Sequence, residues 1–270
     1  MERTVTGGTG RSYSTLLCQA DGGILTITFN RPKSYNALNE PMKEELGSAL
    51  REASHEAAVR CVVLRGAGDR AFCSGQDLKE QRGTGRSLRE SLERSYNPII
   101  RRMREMEKPI IGMINGVAAG AGCSIALACD MRVMSTGATL IEAFARIGLV
   151  PDSGSHWFLP RLVGMARAFE YAATGRDITA DEAERVGLVN RVVPPERLEE
   201  VTMELARSLA AGPTRTIGLI KRTLNRALTT DLASLLEYEA AIQEIASATD
   251  DHREGLAAFM EKRKAVFTGR

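Results

Sequence analysis

The sequence predicts an α/β protein with a parallel sheet, followed by a helical C-terminal region. Short apolar, β-rich segments alternate with helical segments, which is typical of parallel strands joined by crossover helices. Beyond Pro195 the β signals stop, and residues 196–267 have helical patterns, broken at Gly212-Pro213 and Thr229-Thr230. We therefore expect a flexible tail, an α/β core and a helical C-terminal region, at residues 1–13, 14–200 and 201–270 respectively.

The elements of the core follow from local signals. Two β-rich segments flank Gly22-Gly23, which predicts a hairpin. Asn39 followed by Pro41 predicts the start of a helix, because Asn caps helices and Pro suits the first turn. Residues 83–86 predict a mobile loop. The other predicted elements are strands at 61–65, 109–115, 131–134 and 188–193, and helices at 88–107 and, after the cap Thr179, at 180–186.

Composition excludes several classes of protein. The 270 residues include 36 basic and 34 acidic ones, a balance that does not suit a dedicated nucleic-acid binder. No apolar run approaches the roughly 18 residues of a membrane span, and the N-terminal residues lack an apolar signal core, so we expect a cytoplasmic protein. Five cysteines without a CxxC pair and three dispersed histidines predict reduced thiols and no metal site.

Two segments of small residues, 71–78 and 116–122, each follow a predicted strand. At such strand ends, main-chain N–H groups can be left unpaired and directed at a ligand. Two donors near one oxygen atom would form an oxyanion hole. A rival interpretation starts from Ser124, because Gly-Cys-Ser-Ile-Ala resembles a degenerate nucleophile elbow, with Asp152 and His252 following in hydrolase order. The alternative is that Ser124 is a small residue in the first turn of a packed helix.

Five sequence blocks resemble the crotonase (enoyl-CoA hydratase/isomerase) superfamily over residues 14–268. The resemblance implies a crotonase-like spiral of repeated ββα units with a helical C-terminal region. It also implies a homotrimer or a dimer of trimers, acyl-CoA thioester substrates, and no cofactor beyond the coenzyme A of the substrate. The blocks are NRP…NAL at 30–38, FCSGQDL at 72–78, INGVAAGAGCSIALACDMR at 114–132, GLVP at 148–151 and LPRLVG at 159–164.

The resemblance also implies roles for individual residues. The main-chain N–H groups of Gln76 and Ala121 would form the oxyanion hole. Hydratases of the superfamily use two glutamates to activate water, and those positions are Ser124 and Phe144 here. Asp152 stands where isomerases of the superfamily carry an aspartate. Contacts to coenzyme A are implied for Lys33, Ser74, Lys79, Phe259 and Lys262.

The block around Asp152 is most similar to the 1,2-epoxyphenylacetyl-CoA isomerase branch. We therefore expect an acyl-CoA isomerase that shifts a double bond or rearranges a ring epoxide, since one base suffices for a proton shift. Ser124, Phe144 and Trp157 are expected to line its pocket. Asp152 could instead cap a helix.

Three alternatives stay open at this stage. Glu142 could share a strand face with Phe144 and reach the site, although a surface or ion-paired glutamate is favoured. The protein could be a hydratase with an unusual acid. It could also be a trimer that binds acyl-CoA without catalysis.

Overall fold

The computed structural model describes residues 12–81 and 87–270. The predicted loop at 83–86 and most of the predicted tail at 1–13 lie outside them. The strands are β1 (Leu16–Asp21), β2 (Ile24–Phe29), β3 (Cys61–Gly66), β4 (Ala71–Cys73), β5 (Ile110–Ile114), β6 (Val117–Ala119), β7 (Met131–Ser135), β8 (Thr139–Ile141), β9 (Asp177–Thr179) and β10 (Arg191–Val193). The α-helices are α1 (Glu40–His55), α2 (Leu78–Gln81), α3 (Leu88–Ser91), α4 (Asn97–Glu105), α5 (Ala121–Ala128), α6 (Ser155–Val163), α7 (Met165–Thr174), α8 (Ala180–Arg185), α9 (Pro195–Ala210), α10 (Thr214–Ala227), α11 (Leu232–Ser247) and α12 (Asp250–Met260).

The strands form two sheets. The larger sheet has the order β1-β2-β3-β5-β7-β10, and all its neighbours are parallel except the β1–β2 hairpin. The smaller sheet has the order β4-β6-β8-β9, with β9 antiparallel to β8. Strands β3, β5 and β7 of the larger sheet are each followed by β4, β6 or β8 of the smaller one. The chain thus winds through repeated ββα turns, which confirms the predicted fold class.

Apolar side chains fill both faces of the larger sheet. On the inner face, the rings of Phe29 and Phe72 join the two sheets edge to face, with centroids 5.3 Å apart. On the outer face, Val63 and Ile111 pack against Leu198 and Val201 of α9. Helix α9 spans the predicted boundary between residues 200 and 201. The first helix of the C-terminal region therefore packs on the larger sheet as part of the core.

Local predictions hold at the hairpin and the first helix. Gly22 and Gly23 both have positive φ, as a tight hairpin turn requires. The side chain of Asn39 accepts a hydrogen bond from the Met42 N–H and caps α1.

The predicted helix at 88–107 is confirmed from Leu88 to Glu105, with a π-turn at Leu92–Tyr96 that separates α3 from α4. Pro98 has no N–H to donate to the carbonyl of Arg94. The Asn97 N–H reaches back to Leu92 instead, so the helix widens by one residue.

The predicted helix to residue 267 is wrong. Thr249 caps a separate helix, α12, which ends at Met260. The buried Asp251 carboxylate accepts hydrogen bonds from the main-chain N–H groups of Thr268 and Gly269, at 2.6 and 2.8 Å, and so folds the last residues back. In the described ranges, no helix combines the length and the apolar character that crossing a bilayer requires.

Candidate active site

A cavity of about 450 Å³ lies where strands β4, β6 and β8 end. Because these strands are parallel, their carboxyl ends meet at one edge of the smaller sheet, the usual place for a ligand in α/β proteins. Most of the lining is apolar. It comprises Ser74, Gly75, Gln76, Leu78, Leu88, Ser91, Leu92, Tyr96, Gly120, Ala121, Ala143, Phe144, Arg146, Ile147, Leu149, Val150 and Asp152.

The main chain at Gln76 is turned toward this cavity. A parallel bridge joins Gln76 to Leu38, in which the Leu38 N–H donates to Gly75 and the Leu38 carbonyl accepts from Asp77. These hydrogen bonds involve Gly75 and Asp77, the residues on either side of Gln76, so the Gln76 N–H points away from Leu38. No described residue accepts a hydrogen bond from that N–H.

A second free N–H belongs to Ala121, the first residue of α5, which has no acceptor within its own helix. Gly120 before it has φ 52°, which turns the chain from β6 into the helix. Gly75 lies against this turn. A Cβ atom on Gly75 would meet the Ala119 carbonyl oxygen at 2.7 Å and the Ala121 nitrogen at 3.4 Å. Glycine at 75 therefore lets the two strand ends, and their two donors, come together.

Asp152 also lines the cavity and lies in the turn before α6. Ser153 and Gly154 both have positive φ, 51° and 86°. Gly154 is the N-cap of α6, and no side chain caps that helix. The alternative that Asp152 is a helix cap is therefore wrong. Its carboxylate accepts a hydrogen bond from the Ser153 hydroxyl at 2.8 Å.

Burial raises the pKa of Asp152 above its usual value, opposed by the hydrogen bond from Ser153 and the nearby His156. Such a shift suits a carboxylate that accepts a proton from carbon. Because only the ionised form is a base, activity that depends on Asp152 should rise with pH until this raised pKa is passed.

The three predicted pocket residues have different positions. Phe144 lines the cavity as expected. Ser124 does not, because it is wholly buried in α5 below the cavity wall. No substrate carbonyl could reach its hydroxyl, and His252 lines a separate depression on α12, so the hydrolase interpretation is wrong.

Trp157 also lies away from the cavity. Ser155, Phe158 and Leu159 form the buried face of α6, so Trp157 points to the opposite side. It borders a different cavity, and the Arg161 guanidinium covers its ring at 3.5 Å.

The predicted coenzyme A contacts are spread over the surface. Ser74 lines the cavity. Lys33 and Lys79 are exposed on the segments that precede α1 and follow Gln76. Phe259 and Lys262 lie at the end of α12, where Phe259 borders the depression near His252.

Sequence reasoning missed Tyr96, which the π-turn brings into the cavity wall. Its hydroxyl donates to Gln76 Oε1 at 2.5 Å, and Lys43 Nζ approaches the same oxygen at 3.3 Å. Burial keeps the pKa of Tyr96 well above its usual value, so the hydroxyl remains a donor. The side chain of Gln76 is thus fixed beside its own free N–H.

Replacing Tyr96 by Phe should lower kcat about three- to tenfold, the usual effect of one lost hydrogen bond. Affinity for acyl-CoA should change little, because the hydroxyl contacts Gln76 and not the cavity mouth. Steady-state kinetics and equilibrium binding test this, with Tyr238→Phe on α11 as the matched control. Equal kcat values for the two variants would contradict the role of Tyr96.

Sequence reasoning also misplaced Glu142. Strand β8 ends at Ile141, and a 3₁₀-helix at Ala143–Ile147 follows, so Glu142 and Phe144 do not share a strand face. Glu142 is wholly buried behind the cavity wall, and no described residue forms an ion pair with it. Its Oε1 atom lies within hydrogen-bond distance of Ser155 Oγ, at 3.0 Å.

Two sheets wound from repeated ββα turns, with a cavity at the carboxyl ends of the smaller sheet, place the chain among the crotonase-type α/β proteins. A family model described as enoyl-CoA hydratase/isomerase matches residues 19–270. The chain therefore belongs to the enoyl-CoA hydratase/isomerase family, whose members act on acyl-CoA thioesters.

Individual relatives carry both names of the family. The chain is 40% identical to 1,2-epoxyphenylacetyl-CoA isomerase of Escherichia coli, covering 94% of this chain and 98% of the relative. It is 34% identical to short-chain-enoyl-CoA hydratase of Clostridium acetobutylicum, covering 93% and 96%. The crystal structure of enoyl-CoA hydratase from Bacillus anthracis superposes with a TM-score of 0.89, at 35% identity over 95% of this chain and all of that one.

Proposed function

We propose that this enzyme is an acyl-CoA isomerase that shifts a double bond, or rearranges a ring epoxide, with Asp152 as its base. The observation that carries the proposal is that Asp152 is the one carboxylate among the described residues of the cavity lining. The two positions that carry glutamates in hydratases hold Phe144, an apolar ring at the wall, and the buried Ser124.

The reaction follows from this arrangement. The thioester carbonyl oxygen lies between the N–H groups of Gln76 and Ala121. Asp152 takes a proton from C2, and the electron pair moves to that oxygen to form an enolate. The two N–H groups stabilise the developing negative charge more than they stabilise the neutral carbonyl. In a 3-enoyl substrate, Asp152 then returns the proton to C4, and the double bond lies between C2 and C3.

Water is disfavoured as a reactant here. Hydration needs a carboxylate to activate a water molecule. The Phe144 ring lines the cavity at a position where hydratases carry one of their glutamates. The side chain of Phe144 lies near Gly120, since a Cβ atom there would meet its Cζ at 3.9 Å. An apolar wall suits an acyl chain or an aromatic ring instead.

Binding of coenzyme A is proposed for the exposed edge of the cavity, with the main chain around Ser74 toward the adenine and Lys33 and Lys79 toward the phosphates. Phe259 and Lys262 would contribute from the last helix, either of the same subunit or of a neighbour in a homotrimer or dimer of trimers. We propose a cytoplasmic location for this assembly.

A comparison of substrates tests the proposal. With 3-enoyl-CoA we expect formation of the conjugated 2-enoyl thioester. With crotonyl-CoA we expect hydration to be slower than this isomerisation by about 10²-fold or more, because Asp152 is the one base and no second carboxylate of the cavity lining activates water. Epoxyaryl-CoA substrates test the ring rearrangement. Fast loss of the crotonyl absorbance would favour the hydratase alternative. Binding of every thioester without turnover would favour the non-catalytic alternative.

A further inference from the structure

The buried Glu142 has no cationic partner among the described residues, and Ser155 contacts only its Oε1 atom. It is wholly buried, and its Oε2 atom has no hydrogen-bond partner among the described residues. Leaving an ionised carboxylate oxygen buried and unpaired is costly. The protonated acid avoids that cost.

Hydrogen bonds connect Glu142 to the Asp152 turn through two serines. Glu142 Oε1 lies 3.0 Å from Ser155 Oγ, Ser155 Oγ lies 2.8 Å from Ser124 Oγ, and Ser124 Oγ lies 3.1 Å from the Asp152 main-chain oxygen. Ser124 Oγ is also 3.3 Å from the carbonyl of Gly120, the residue before Ala121. We call Glu142, Ser155 and Ser124 the buried serine chain.

The number of protons decides the state of this chain. Three contacts lead from Glu142 to the Asp152 carbonyl, and each needs one proton. The two serine hydroxyls supply two. If Glu142 is ionised, one of the three contacts joins two acceptors. If Glu142 is protonated, it donates to Ser155, Ser155 donates to Ser124, and Ser124 donates to the Asp152 carbonyl.

We infer that Glu142 is protonated in the active enzyme and is a positioning residue, whose proton completes the buried serine chain to the Asp152 carbonyl. The inference rests on the proposed function only for its kinetic consequence. The buried serine chain holds the base turn at Asp152.

The surroundings of Glu142 agree with this state. Burial, with a smaller effect from the charge of Asp152, raises the pKa of Glu142 to about 7, opposed by the Ser155 hydroxyl and the Cys123 thiol. Cys123 of α5 is itself buried, and burial raises the pKa of its thiol well above the usual range, so it stays neutral. The cation that acts on Cys123 is Arg132, and Arg146 of the 3₁₀-helix after Glu142 pairs with Asp177.

Above pH 7 Glu142 should lose the proton that completes the buried serine chain. Ser155 then donates to the Glu142 carboxylate, Ser124 donates to Ser155, and the Asp152 carbonyl loses its donor. A negative charge also appears behind the wall where the enolate forms. We therefore expect the kcat of the wild type to fall about three- to tenfold between about pH 6.5 and pH 8.5, on the scale of one hydrogen bond.

Glu142→Gln tests the protonation state without any assay of activity. The folded protein keeps the Glu142 proton from its usual pKa of 4.5 up to about 7, whereas the unfolded chain releases it over that range. Wild-type stability should therefore fall with rising pH relative to the variant, whose amide does not titrate. Thermal denaturation from about pH 5 to pH 8 measures this, with Glu170→Gln at the surface as the control. Parallel curves for the wild type and Glu142→Gln would overturn the inference.

Kinetics test the positioning role. Glu142→Gln can still donate to Ser155, so its activity near pH 6.5 should lie within about threefold of the wild type, and it should not fall toward pH 8.5. Ser155→Ala breaks the buried serine chain and should be slower than the wild type at pH 6.5. If the kcat of Glu142→Gln fell between pH 6.5 and pH 8.5 as much as that of the wild type, the positioning role of Glu142 would be overturned. Divergent denaturation curves in a protein without isomerase activity would support the protonation state while rejecting the proposed function.

Discussion

Replacing Asp152 by Asn should reduce kcat for isomerisation by about 10³-fold, within the range known for removal of a general base. Asn has nearly the same shape but accepts no proton from C2. Because burial raises the pKa of Asp152, the ionised form is disfavoured in the folded protein, and a neutral amide should not lower stability. Steady-state kinetics with 3-enoyl-CoA measures the loss.

The control for this prediction is Asp181→Asn, a matched change at an exposed position in α8. It should leave kcat unchanged. The Kd of Asp152→Asn for a saturated acyl-CoA should lie within about threefold of the wild-type value, since a residue that acts only in the reaction adds little to ground-state binding. Activity of Asp152→Asn within tenfold of the wild type would exclude Asp152 as the base.

The second large effect is expected for Ala121→Pro. Proline removes the main-chain N–H that faces the thioester oxygen, and the first position of a helix tolerates proline well. Loss of one oxyanion-hole donor lowers kcat by about 10²- to 10³-fold. We expect that loss, measured by steady-state kinetics.

Ala121→Gly keeps the N–H and should retain most of the activity. Thermal denaturation of both variants separates loss of the donor from loss of the fold. A folded Ala121→Pro protein with activity close to that of Ala121→Gly would show that this N–H does not hold the enolate.

The sequence predicts those turns and helix ends that depend on the chemistry of neighbouring residues. Gly22-Gly23 forms the hairpin turn, and Asn39 caps α1, because each signal acts within a few residues. The smaller sheet gives no such signal. Its strands are three residues long, too short for an alternating pattern, and only the family resemblance implies them.

The site shows the same division. Small residues at strand ends predict the two segments that present free N–H groups, and the family resemblance implies Gln76 and Ala121 within them. The contacts of Tyr96 and Glu142 depend on a π-turn and on packing between distant segments, which the sequence pattern does not contain. Trp157 was misplaced because the helix begins at Ser155, and that start decides which side chains face inward.

Exchange of the C2 hydrogens of a saturated acyl-CoA in D₂O tests the central claim most directly, because it needs only the base and the two N–H donors. The wild type should exchange these hydrogens, as followed by NMR. Asp152→Asn should bind the thioester equally well. It should exchange these hydrogens more slowly, by about 10²-fold or more, because the general base is lost. Equal binding with exchange at nearly the wild-type rate would contradict the account.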